Sequence, residues 1–181
     1  MIIQMMGMDV DTREKIGRAF ANKIDAWYLD SRDLPMGHLQ PQQARWLRVI
    51  AKAYDRNNRG HIVTSGYFAT AESREQYRIE PGRVVPDFSV YVDTIPHDQF
   101  DKIPGYLERV VHNVDDHSKD EMQRLDYWEE PEVNDYDIRI GITGDSTQDS
   151  IEGRVKQMYD AYIDKLKTHK VLYKEDNNWR Q

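Results

Sequence analysis

The 181-residue sequence contains no cysteine. That absence excludes disulfide staples, thiolate nucleophiles and cysteine-based zinc sites together, and it suits a reducing compartment. No apolar run approaches the roughly 20 residues that a membrane-spanning helix needs, and the N-terminus lacks a basic segment leading into an apolar stretch. The expected location is cytoplasmic. Positive charge is also in short supply. The 25 Lys and Arg stand against 32 Asp and Glu, a formal charge of −7, so neither a non-specific nucleic-acid coat nor a membrane surface is an expected partner. Internal repeats and low-complexity tracts are missing as well. The length fits one domain, residues 1–181, with a substantial core.

What is present alternates between strand-like and helix-like periods. "MIIQMM" is a continuous apolar run closed by Gly7, the pattern of a central strand buried on both faces of a parallel sheet. Asp11 with Glu14 three residues on forms a capping-box pattern, and Ile16, Phe20 and Ile24 follow at helical spacing. "AWYLDS" reads as a second strand, and Pro35, Gly37 and Pro41 punctuate the turn after it. From Gln42 to Asn57, the apolar stripe Trp46, Val49, Ile50, Ala53 and Tyr54 predicts a helix with its Arg and Lys facing outward. "GHIVTSGYF", "DFSVYVDTI" and "YDIRIGITG" read as strands and "TAESREQYR" as a short helix. Ser146 and Asp149 cap a last helix with the stripe Ile151, Val155, Met158, Tyr159, Tyr162 and Leu166. Residues 168–181 are polar and are expected to fray or dock as an appendage. The alternation predicts an α/β domain with a mainly parallel, five-stranded sheet, whose ligands sit beyond the carboxyl ends of the strands. Residues 97–135 break the pattern. They hold 12 acids and 4 bases, so this stretch carries −8 and leaves the remainder near +1. It is expected to be an acidic lid or insertion.

In order along the chain, "IIQMMGM", "YLDSRD", "IVTSGYFATAESRE", "VYVDT" and "EEPEVNDYDIRI" resemble successive pieces of the P-loop kinases, and specifically of the adenylylsulfate kinase family with its small phage-borne relatives. The similarity spans most of residues 1–140, and "VYVDT" is its most literal part. It implies a three-layer P-loop kinase fold, ATP and Mg²⁺ as cofactors in an active member, and phosphoryl transfer to a sulfonucleotide or nucleotide.

The phosphate loop is where the pattern departs. In G-x-x-x-x-G-K-[ST] the glycines let backbone N–H groups converge on phosphate, the lysine reaches the β/γ oxygens and the hydroxyl ligates Mg²⁺. Counted from Gly7, those last three positions are Thr12, Arg13 and Glu14. Arg13 keeps a positive charge in a different geometry. Glu14 replaces a neutral hydroxyl and, with Asp9 and Asp11, sets up to three carboxylates beside the place of a polyphosphate. Each like-charge contact at ~4 Å costs on the order of 4 kcal/mol at an effective dielectric near 20. Lys15 is one position late, and the helical period turns it to solvent. The same letters also describe a helix start that caps itself, with Asp11 and Glu14 in the place of phosphate.

The resemblance carries further roles. Asp30 falls where the family has a catalytic aspartate; the alternative is a turn cap. Arg32 stands where a second acid is usual and Pro35 where an arginine is usual. Arg74 matches a substrate-binding arginine, while Ala71 and Phe68 replace an arginine and a serine. Asp93 is placed for metal or lid, or caps a turn. Gly7, Thr12, Arg13 and Lys15 would bind nucleotide, Arg32 and Arg74 substrate, and Glu14 and Asp93 metal, with Asp30 and Arg13 catalytic. Arg32, Arg45, Arg48, Arg74, Arg78 and Arg83 form a local basic excess, either an anion site or a solvated face. His112, Asp115, Asp116, His117 and Asp120 have metal-ligand types in an unfamiliar spacing, and a solvated acidic turn fits them as well. Three functions remain open: a degenerate kinase with a binding or regulatory role, an active kinase with a non-standard loop, and an interaction module whose acidic segment docks a basic protein.

Overall fold

The computed structural model describes all residues except 8, 35–39, 58–59, 67, 81–82, 85, 95–128, 143–147 and 178–181. Its elements, in chain order, are β1 (Ile2–Met6), α1 (Val10–Lys23), β2 (Ala26–Asp30), α2 (Gln40–Arg56), β3 (His61–Gly66), α3 (Ala71–Arg78), β4 (Ile79–Glu80), β5 (Arg83–Val84), β6 (Phe88–Asp93), β7 (Ile138–Gly141) and α4 (Gln148–Asn177). Five strands form one sheet in the order β2-β3-β1-β6-β7. All its pairings are parallel, with Gln4 opposite Thr64 on one side and Ser89 on the other. β1 is central, its apolar run interrupted only by Gln4.

Alternate residues of β1 serve different layers, because successive strand side chains point to opposite faces. Ile3 and Met5 pack with Ile16 and Phe20 of α1 and Val155, Met158 and Tyr162 of α4. The Tyr162 ring meets Phe20 and Phe88 edge-on, at centroid distances of 5.7 and 5.9 Å. Ile2 and Met6 face Leu47 and Ala51 of α2 and Tyr77 of α3. Helices on both faces make three layers, and each fully buried Leu, Phe or Met side chain contributes about 1.5–3 kcal/mol.

Three expectations are corrected. The sheet-facing side of α2 is Ala44, Leu47 and Ala51, whereas Trp46 and Val49 are each 46% exposed. Alanines allow close approach to the sheet, so the larger residues one step around the helix turn outward. The helix itself runs Gln40–Arg56 rather than from Gln42 to Asn57. The segment expected to fray after residue 168 instead continues α4, 30 residues long, as far as Asn177; nothing there breaks a helix, since proline and glycine are absent. An antiparallel ribbon pairs β4 with β5, an addition to the expected strands. Most of the acidic 97–135 stretch, including His112, Asp115, Asp116, His117 and Asp120, lies outside the described residues, as do Pro35 and Ser146.

Candidate functional site

The central strand delivers its chain end to a loop only three residues long. Gly7 leaves β1, and α1 has begun by Val10. A Cβ on Gly7 would lie 2.4 Å from the Val92 backbone oxygen, so only glycine fits there against β6. Asp9 is the N-cap. It holds an extended conformation (φ −79°, ψ 111°), and its carboxylate accepts the Thr12 N–H at 2.7 Å. The Arg13 N–H then donates to the Asp9 carbonyl at 3.1 Å, the first helical bond. The expected Asp11/Glu14 capping box does not form. Asp11 is exposed in the first turn, and Glu14 is drawn sideways to Arg18 (2.7 Å) and Arg32 (2.6 Å). Positions 10–13, which a Walker loop would wrap around phosphate, are helical here.

Helical phase decides the fate of the two cations. Arg13 lies three, seven and eleven residues before Ile16, Phe20 and Ile24 and so belongs to the buried stripe; it is 0% exposed. Its Nε donates to Ser65 Oγ at 2.9 Å, and an Nη donates to the Gly7 carbonyl. The guanidinium thus joins the ends of β1 and β3 from beneath the loop. Lys15, two positions on, is exposed. Thr12 is buried, and Gly17 lets α1 approach Tyr28 and Met5, which a Cβ there would meet at 2.6 and 3.0 Å.

The second strand brings Asp30 to the same end of the sheet, with 1% of its surface exposed. Its carboxylate accepts from the Arg32 N–H (3.0 Å), Arg32 Nε (2.9 Å) and the Tyr28 hydroxyl (3.1 Å). In return, Asp33 accepts the Asp30 N–H at 3.1 Å, closing a capping box on the short 3-10 turn Ser31–Asp33. Burial alone would raise the Asp30 pKa, but the two Arg32 hydrogen bonds and the charges of Arg13 and Arg32 outweigh it and hold the carboxyl below its usual value. The Asp30 carboxylate is thus engaged by these three donors, and the lowered pKa makes it a weaker proton acceptor. Arg32 bridges Asp30 and Glu14; its donation to the Asp30 carboxylate chiefly raises its pKa, and the bonds Glu14 accepts from Arg32 and then Arg18 lower that of Glu14. Burial pushes the Tyr28 phenol up to about 12. Arg18 lies 4.7 Å above the Tyr28 ring.

The remaining site residues have partners of their own. Arg74 is buried and bonds Asp135 (3.1 Å), the Phe68 carbonyl (2.8 Å) and the Glu129 carbonyl (3.0 Å). Arg78 joins it on Asp135 at 2.7 Å. These arginines fasten the 129–135 strand approach to α3. Asp93, at the end of β6, is paired with Arg139 of β7, whose Nε lies 2.7 Å away. Glu14 and Asp93 each hold an arginine partner, and among the described residues no group of three or more His, Cys, Asp or Glu could hold a metal ion. Ser65, Tyr28, Arg139 and Asp135 were not singled out from the sequence; the parallel register Asp30 opposite Ser65 brings the first together, and no local motif signals it.

No protein-family model and no curated protein matches the chain. Its likenesses are to solved structures. An unliganded sugar kinase from Janibacter sp. HTCC2649 matches with a TM-score of 0.57 at 13% identity, over 88% of this chain and 94% of that one. A gluconokinase from Sinorhizobium meliloti 1021 matches with a TM-score of 0.52 at 15% identity, over 90% and 95%. Kti12 from Chaetomium thermophilum, solved with ADP-AlF3, matches with a TM-score of 0.50 at 12% identity, over 89% and 98%. The chain has the P-loop kinase fold, with a five-stranded parallel sheet. Among the described residues no helix is long and apolar enough to cross a membrane.

Proposed function

We propose that this is a degenerate adenylylsulfate-kinase-like protein in which the phosphate loop has closed on the chain's own side chains, leaving phosphoryl transfer absent or much reduced and a binding or regulatory role. One observation carries the reading. Across a three-residue loop, Asp9 satisfies the helix N-terminus while Arg13 is turned inward to Gly7 and Ser65. A phosphate loop works by offering unsatisfied N–H groups and a mobile cation to an anion. Here a carboxylate holds one of those N–H groups and the cation serves the core. The adenylylsulfate assignment rests on the order of "YLDSRD", "IVTSGYFATAESRE" and "VYVDT" along the sheet.

Calorimetric titration with ATP and ADP, with and without Mg²⁺, tests the reading, together with a phosphoryl-transfer assay using adenylylsulfate. The expected result is no saturable heat and no turnover. Mg²⁺-dependent binding that Lys15→Ala abolishes would favour an active kinase with a shifted loop, using Lys15 or Arg13 for phosphate, and would end the degenerate-kinase reading.

A further inference from the structure

α2 carries charge out of proportion to the chain. Its 17 residues hold Arg45, Arg48, Lys52 and Arg56 against the single acid Asp55, in a protein of net −7. Successive helical residues advance by about 100°, which sorts the outward face into two lanes on either side of Val49. One lane is basic, formed by Arg45, Lys52 and Arg56. Arg45 and Arg56 are exposed and, among the described residues, in no ion pair. The other lane is apolar. It runs from Trp46 and Ala53 to Tyr54, whose ring lies 5.1 Å from that of Trp27 on β2. Trp27 is itself 42% exposed, and β2 is the outer strand of the sheet. Between Trp27 and Tyr54 opens a depression floored by Asp25 and Ala26.

Trp46 and Val49 on α2 and Trp27 on β2 are three of the four large exposed hydrophobics among the described residues, and they fall on one helix and the edge strand beside it, the residue types of a contact surface. The flanking lane fixes the chemistry of what covers it. We propose that the α2–β2 surface docks an acidic amphipathic helix of a partner protein, its apolar side on Trp46, Ala53 and Trp27 and its Asp and Glu side chains over Arg45, Lys52 and Arg56. A second copy of this chain fits less well, because antiparallel pairing of two α2 faces about a twofold axis lays the two basic lanes side by side, where like charges repel. The proposal is independent of the state of the phosphate loop.

Fluorescence anisotropy on the full chain tests it with three labelled synthetic helices that share one leucine face and carry glutamate, glutamine or lysine on the other. The glutamate peptide is expected to bind at least about tenfold tighter than the glutamine peptide at low salt, with the gap closing as salt screens the charges. The double variant Arg45→Glu/Arg56→Glu should transfer the preference to the lysine peptide. Trp46→Ser should weaken the glutamate peptide about tenfold while circular dichroism stays unchanged. Equal binding of the glutamate and glutamine peptides, or binding of neither, overturns the proposal. So does self-association in sedimentation that Trp46→Ser abolishes, which would make the occupant a second copy.

Discussion

Replacing Arg13 by alanine separates a cation that serves the core from one that serves a phosphate. In the folded chain the guanidinium is fully buried, bonded to Ser65 Oγ and the Gly7 carbonyl, and it contributes favourably to the ionised state of Asp30. A hydrogen bond from a charged donor is worth ~1.5–3 kcal/mol, and a buried polar acceptor left without its partner costs ~1–3 kcal/mol. Losing both bonds, less part of the cost of burying the guanidinium itself, comes to about 3–5 kcal/mol. For a chain of this size each kcal/mol moves the melting temperature by roughly 2–4 °C, so Arg13→Ala is expected to lower it by about 6–20 °C. Arg13→Lys, which keeps the charge but lacks the fork that reaches both acceptors, should fall between the two. Urea unfolding followed by circular dichroism gives the free energies directly. An Arg13→Ala protein within about 1 kcal/mol of the parent would refute the account, because a residue held in reserve for a ligand leaves the empty protein's stability nearly unchanged.

Two further outcomes test the polar interior. The Asp30 carboxyl is held below its unfolded value, so the stability it contributes is present above about pH 4 and is lost as pH falls through its folded value; urea midpoints for Asp30→Asn should show a shallower decline in acid than the parent, and parallel curves would count against the pairing with Arg32. Gln4 is 0% exposed in the central strand, and among the described residues neither Oε1 nor Nε2 has a hydrogen-bond partner, so Gln4→Met is expected to stabilise the fold by ~1–3 kcal/mol, whereas a loss of stability would mean the amide is bonded.

Much of the fold was legible because burial on one or both sides of a sheet leaves a strong pattern. "MIIQMM" gave the central strand, and Ile151, Val155, Met158 and Tyr162 gave the core face of the last helix. α2 was phased only in part: Ile50 and Tyr54 of the expected stripe pack against the core, whereas Trp46 and Val49 face outward. Ala44, Leu47 and Ala51 lie at helical spacing just as Trp46, Val49 and Ala53 do, and the larger side chains drew attention to the wrong side. The start of α1 was placed two residues late, since Asp11 with Glu14 matches a capping box while Asp9, which caps the helix through the Thr12 N–H, has no acid or amide three residues on. Arg13 was in register with Ile16 and Phe20 all along; a charged residue is not counted in an apolar stripe, and its acceptors come from β1 and β3. The pairing of Asp93 with Arg139, 46 residues apart, is set by strand order and leaves no local trace.

The short loop also bears on descent. Under the proposed reading, restoring a nucleotide cradle would require unwinding residues 10–13 from α1, release of the Thr12 N–H from Asp9, and withdrawal of Arg13 from Ser65. None of these is useful by itself: a longer loop with Arg13 still inward gains no phosphate contact, and a freed Arg13 in the short loop forfeits core stability. If the loop has closed as proposed, a lineage on this route can keep varying its surface while kinase activity stays out of reach of single substitutions, and the arrangement then behaves as an evolutionary ratchet.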